Sequence, residues 1–331
     1  MTVCLLCFIM ESRASMDDSS DLFKEEGYEL GEHLLSDCWG EIFRARYVPH
    51  AREVMLRALP AAVGENEGAR ELVLALVQAW ARLDHPCILQ VLDWGAARPG
   101  VFFATEVPAG RPLGSLLCGG VAPEGADAIF TRLLEAVEAA RQRGVLHLGL
   151  GLTNIWVGEG AAVRVSEFGL WYAARDFPGL IEPDRLFLAP EQERGERESA
   201  ATDVYSLGLV LLALYCGLDA AVAAKGGSLP EGLGEKRAVL ARCLDERPLA
   251  RYRCAGELAD ALGFPPARRA HEPYRDCPLC RLSEEIRAER YRTGAAGSGA
   301  ARAGLPPSAY AWIAIIALVV VTVAVWWLAF R

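Results

Sequence analysis

The stretch HLGLGLTNIWV, residues 147–157, poses the question that decides the fold. A buried strand or helix would not carry two glycines, Gly149 and Gly151, this close together. A mobile surface loop would not carry Leu148, Leu150, Leu152 and Ile155. The segment reads as a tightly packed loop whose polar side chains have been lost.

Its surroundings show two regions of different pattern. Residues 28–107 hold short runs rich in β-formers: EIFRARYV, REVMLRAL, ILQVLDWG and GVFFATEV. One helix-period segment, Ala69 to Leu83, interrupts them. From residue 113 the pattern turns helical, over 123–143, 202–217, 235–244 and 254–262, with the strand-like TNIWVGEGAAVRVSEF inside it. A mainly β lobe followed by a mainly α lobe predicts an α+β, two-lobed fold.

Six further stretches join the opening one in order along about 240 residues: LDHPCILQVLDWG at 83–95, TEVPAG at 105–110, SEFGL at 166–170, LAPE at 188–191, TDVYSLG at 202–208 and CLDERPLAR at 243–251. Together they resemble the protein kinase family. HLGLGLTNIWV then matches the His-Arg-Asp-Leu-Lys-Pro-x-Asn catalytic loop and SEFGL the Asp-Phe-Gly metal loop. TEVPAG matches the hinge, with Thr105 at the gatekeeper place. The resemblance implies a pairing of Glu191 in LAPE with Arg251, and structural roles for His147 and Asp203.

The resemblance also shows what is missing. Phosphoryl transfer needs a phosphate cradle, a Lys–Glu pair, metal-holding groups and a base. In LLSDCWGEI, 34–42, only Gly40 of the glycine-rich loop survives, with Leu35 and Asp37 where the first two glycines belong. Arg57 takes the place of the strand-three lysine, and Arg does not freely replace a point-charge lysine. Leu76 falls where its acidic partner belongs, and Glu71 is five residues early. The three lysines of the chain, Lys24, Lys225 and Lys236, lie away from the site. Gly149 replaces the base, Gly151 the second catalytic lysine and Leu148 the arginine of the loop. The segment Leu170 to Ala189 has no Ser or Thr, and Tyr172 is its one phosphorylatable residue.

What the resemblance leaves for a ligand is a nucleotide cleft of Gly40, Arg57, Thr105, Glu106 and Val107, taking ATP with Mg. Glu167 reads first as a solvated or Arg-paired carboxylate; alternatively Asn154 and Glu167 could hold the divalent ion. The expectation is a pseudokinase, not an enzyme, acting as a scaffold or allosteric signalling partner of another protein. The alternatives are ATP and metal binding as a switch, or an atypical phosphotransferase with a rebuilt site.

Composition frames this reading. The chain has 331 residues, 52% of them apolar, and a net charge of −9 that argues against a nucleic-acid partner. Residues 1–22 read as a disordered or misassigned extension, and 23–265 as the kinase-like domain, with lobes at 23–107 and 111–265. Residues 266–309 form an Arg-rich, then Gly/Ala/Pro linker. Tyr310 to Phe330 carries no charge and would span about 31 Å as a helix, enough to cross a bilayer core. Arginines before it predict a single-pass, tail-anchored protein with the domain cytoplasmic. Cys277 and Cys280 read as reduced thiols; the alternative is a redox pair, or half of a zinc site with His271 as a third ligand and the rest from a second chain.

Overall fold

The computed structural model describes residues 23–97, 100–117, 123–181 and 185–264. The first lobe is a sheet of β1 (Tyr28–Asp37), β2 (Gly40–Tyr47), β3 (Arg52–Ala58), β4 (Val91–Ala97) and β5 (Gly100–Thr105), in the order β1-β2-β3-β5-β4, with all pairs antiparallel. In β2, Ile42, Phe43, Ala45 and Tyr47 are buried while Arg44 and Arg46 face solvent. Cys38 and Trp39 make the turn between β1 and β2, and Asp37 pairs with Gly40 across it.

Between β3 and β4 lie α1 (Ala61–Glu65) and α2 (Glu67–Trp80). The expected helix at 69–83 is shifted. Asn66 caps α2 two residues earlier, its side chain accepting from Ala69 N. The helix ends at Trp80 because Leu83 N turns back to the Trp80 carbonyl ahead of Pro86. Val73, Val77 and Trp80 face the sheet side and are buried. The Trp80 indole donates to the Leu89 carbonyl at 2.9 Å and meets Phe103 edge-on.

The second lobe holds β6 (Arg111–Pro112), α3 (Leu113–Leu117), α4 (Pro123–Gln142), β7 (Ile155–Val157) and β8 (Val163–Val165), with β6-β7-β8 forming a small antiparallel sheet. Then come α5 (Trp171–Asp176), α6 (Pro190–Glu193), α7 (Ala200–Cys216), α8 (Leu218–Lys225), α9 (Lys236–Cys243) and α10 (Ala255–Ala261). Every residue of α7 from Ala201 to Leu214 is buried, so it has no polar face and stands as the central pillar. Sequence pattern located α4, α7, α9 and α10 within two residues. It missed α1, α3, α5, α6 and α8, which span four to eight residues, too short for a helical period to stand out.

The extension at 1–22, the linker at 266–309, the membrane helix at 310–330 and the Cys277–Cys280 pair all lie outside the described residues. Among the described residues no helix is long and apolar enough to cross a membrane.

Candidate active site

The loop at 147–154 hangs from α7. Asp203 accepts from the backbone N–H of His147 at 3.0 Å and of Leu148 at 2.6 Å. Burial pushes this carboxyl up to about 6, and the two N–H groups hold it lower than burial alone would. His147 packs on Phe168 and its Nε2 lies 3.0 Å from the Ser166 carbonyl. Burial pulls its pKa down to about 4, so the ring is neutral and Nε2 donates. Gln192 donates to the Leu148 carbonyl at 2.7 Å. Leu148, Leu150 and Leu152 are all buried. Leu148 has φ +60 and Glu167 φ +70, left-handed conformations that cost a non-glycine residue on the order of 1–3 kcal/mol. The backbone is thus held in a strained shape at both loops.

Arg251 and Glu191 form the bidentate pair that the motifs implied, at 2.7 and 2.8 Å, with both side chains buried. Arg251 also donates to the carbonyls of Asp245 and Ala201, and Thr202 donates to Glu191.

The cleft itself is occupied by its own charges. Arg57, on β3, donates to Asp37 at 2.5 and 2.9 Å and to Glu167 Oε1 at 2.6 Å. Asp37 comes from the end of β1 and Glu167 from the loop after β8, so the cluster ties the two lobes together. Burial alone would pull the guanidinium's pKa down, but the two carboxylates raise it overall. Glu167 is pushed up by burial and by Asp37, against the pull of Arg57. The Lys–Glu pair is therefore rebuilt with different partners. Glu71 is exposed on α2, and Leu76 lies on the side facing the metal loop, its Cδ2 3.7 Å from where a Cβ on Gly169 would stand.

The other expected ligand residues are also committed. Gly40 is held by packing: its φ is +102, and a Cβ there would lie 2.1 Å from the Ala58 carbonyl oxygen. Thr105 Oγ1 lies 3.0 Å from the Glu106 carbonyl. The Glu106 carboxylate accepts from Arg164 and from Gln90 N, and Val107 is half-buried beside it. Asn154 donates to the Gly149 carbonyl at 2.8 Å and accepts from Gly151 N at 3.0 Å, so both ends of its amide brace the loop. Glu167 Oε2 alone remains: it is buried without a hydrogen-bond partner among the described residues. Met55 on β3 and Trp156 on β7 are 5% and 6% exposed, filling apolar space with the chain's own side chains.

In this closed arrangement Arg57 has no open fork for a phosphate, since Asp37 and Glu167 hold it. Magnesium at a nucleotide is usually held by one or two carboxylates with phosphate oxygens and waters, and Glu167 Oε2 is the one carboxylate oxygen of the cluster without a partner among the described residues. Among the described residues no group of three or more His, Cys, Asp or Glu side chains could hold a metal.

Sequence reasoning named Arg57, Asp37 and Glu167 but placed Asp37 at a glycine position of the phosphate loop, with no link to Arg57. It overlooked Trp171 and Phe187, whose Cβ and Cδ2 would each lie 3.8 Å from a Cβ placed on Gly149 and Gly151.

A family model described as protein kinase domain matches residues 8–229. The serine/threonine-protein kinase PknB of Mycolicibacterium smegmatis is 31% identical over 202 residues, covering 57% of this chain and 32% of that protein. CBL-interacting protein kinase 12 of Oryza sativa is 30% identical, over 57% of this chain and 36% of its own. The chain thus spans about a third of the length of the curated relatives it matches. Among solved structures, the Mycobacterium tuberculosis PknI kinase domain aligns with a TM-score of 0.60 at 23% identity, over 72% of this chain and 95% of that one, a likeness of fold.

Proposed function

The chain belongs to the protein kinase domain family, and on that premise we propose that it is a signalling domain of the serine/threonine kinase class whose cleft is held shut by its own residues. The expectation of a non-enzyme is corrected: the relatives are by name serine/threonine protein kinases and the matching model is a kinase domain, which points to an enzyme. Kinases of this family use ATP with Mg, and nothing supports zinc.

One observation carries the reading. Arg57, the cation where ATP phosphates would be met, already binds Asp37 and Glu167, both nearly buried. Phosphate and carboxylate compete for the same guanidinium fork. The closed cluster and a bound nucleotide therefore exclude each other, and the domain is a switch between them. A ligand shifts such an equilibrium only by its differential affinity for the two states. Gly149 brings no carboxylate to the loop, so any transfer in the open state proceeds without a base from that position.

The apolar segment Tyr310 to Phe330 supports placing this switch at a membrane as a single-pass, cytoplasm-facing protein. Its partner in that setting would be another protein.

Titration of the full chain with a fluorescent ATP analogue and Mg²⁺ tests the switch. Asp37→Ala should bind at least tenfold more tightly than wild type, because closure reduces apparent affinity by the open fraction. Equal affinities would remove the cluster's role as a gate.

A further inference from the structure

We propose that the turn Pro248–Ala250 is a membrane-docking tip, with Leu249 entering the surface of an anionic bilayer and Arg247 and Arg253 meeting its lipid phosphates. The inference rests on the reading above that Tyr310 to Phe330 holds the chain at a membrane.

Leu249 is 100% exposed. Val48 and Val222, the other exposed large apolar side chains among the described residues, keep about half of their surface covered. A leucine on a slack loop folds back onto the domain and escapes water. This one is held out. Its turn starts at Pro248, whose ring fixes φ. Arg251 donates to the Asp245 and Glu246 carbonyls at 2.7 and 3.2 Å, and Arg242 to the Ala250 carbonyl at 3.3 Å. Arg251 is itself buried against Glu191, so the base of the turn is joined to the core. The apex therefore presents one apolar side chain on a rigid mount.

The charges around it are layered. Between residues 242 and 253 the exposed charged side chains are Arg242, Arg247 and Arg253, against Glu246. The side chains of Arg247 and Arg253 are 80% and 88% exposed, whereas those of their partners Asp245 and Glu257 are 32% and 28% exposed. Both acids also accept from a backbone N–H, of Arg247 and of Arg253. The outer layer is thus cationic on a chain whose net charge is −9. Arginines are drawn to an anionic leaflet, and an apolar tip between them adds insertion. A protein partner would have to supply a pocket for a lone leucine; a bilayer takes one anywhere.

The anchor makes so small a contact effective. Residues 266–309 extend at most about 150 Å, so tethering brings the domain to the bilayer without choosing the face it presents. Once tethered, docking is an intramolecular step at high effective concentration. The Leu249 tip is then what sets the face.

Hydroxyl-radical footprinting of the full chain, which oxidises exposed aliphatic side chains, tests this in nanodiscs of phosphatidylcholine alone and of an equal mixture with phosphatidylserine. Oxidation of Leu249 should fall at least about fivefold in the mixed discs, with Val48 unchanged. Arg247→Gln combined with Arg253→Gln should restore it to within about twofold of its value in phosphatidylcholine. Leu249 oxidised equally in both discs, or shielded in mixed discs to the same extent with and without the two arginines, overturns the tip and leaves the anchor standing. A chain that co-elutes with neither disc removes the anchor and the tip with it. Shielding of Leu249 that appears in detergent and grows with protein concentration marks a second copy as the occupant and overturns the lipid.

Discussion

Glu167 reaches Arg57 across the cleft: its Oε1 lies 2.6 Å from the guanidinium, in a residue held at φ +70. The family's aspartate at this place is one methylene shorter. Glu167→Asp should therefore lose the bond to Arg57. The loss of a charge-assisted hydrogen bond is about 1.5–3 kcal/mol, partly offset because Asp tolerates the left-handed region better than Glu. A net destabilisation of at most about 2 kcal/mol is expected, read from the urea midpoint at unchanged slope.

Arg57→Met should be far more damaging. It leaves the Asp37 and Glu167 carboxylates buried without their cation, a change that typically costs about 3–5 kcal/mol. Adding Asp37→Asn to Arg57→Met should recover part of that loss. A denaturant series on the three proteins checks both statements; an Arg57→Met chain as stable as wild type would mean the cluster is solvated.

The Glu191–Arg251 pair is buried at both ends and carries three backbone carbonyl contacts besides the ion pair itself. Arg251→Lys should not rescue it, because an ammonium cannot make the forked contact. Both Arg251→Ala and Arg251→Lys should unfold well below the wild-type midpoint, by about 3–5 kcal/mol for the alanine.

Stability should fall on acidification through His147. Its folded-state pKa, lowered by burial to about 4, lies below the ordinary 6.5. Between those values the unfolded chain binds the extra proton, so stability is lost as pH drops from about 6.5 to 4, by roughly 3 kcal/mol. Asp203 works in the opposite direction. Its raised pKa of about 6 makes the folded state bind the extra proton, so its contribution falls as pH rises from its ordinary 3.8 towards 6. His147→Phe should remove the first slope and leave the second, which pH-dependent urea unfolding of the two proteins would separate.

These particulars show what a sequence can and cannot reveal. The two-lobed fold was legible because scaffold residues such as Glu191, Asp203 and Arg251 keep fixed order and spacing, and their partners are set by the fold. The loss of Lys and Asp at Arg57 and Gly149 was legible in the same way. The Arg57 cluster was only half legible. Asp37 and Glu167 lie 130 residues apart in different lobes, and whether Asp37 meets Arg57 depends on how the β1–β2 hairpin closes. Helix α5 was not legible at all, because its six residues carry too little periodicity.

Thermal unfolding of the full chain, with and without millimolar ATP and Mg²⁺, tests the closed cleft most directly when wild type and Asp37→Ala are compared. A ligand binding the folded state at ~100 times its Kd adds ~2.7 kcal/mol and visibly raises the midpoint. The account predicts a clear rise for Asp37→Ala and a much smaller one for wild type. An equal rise in both proteins would contradict it, since the Arg57 cluster would then place no barrier before the nucleotide.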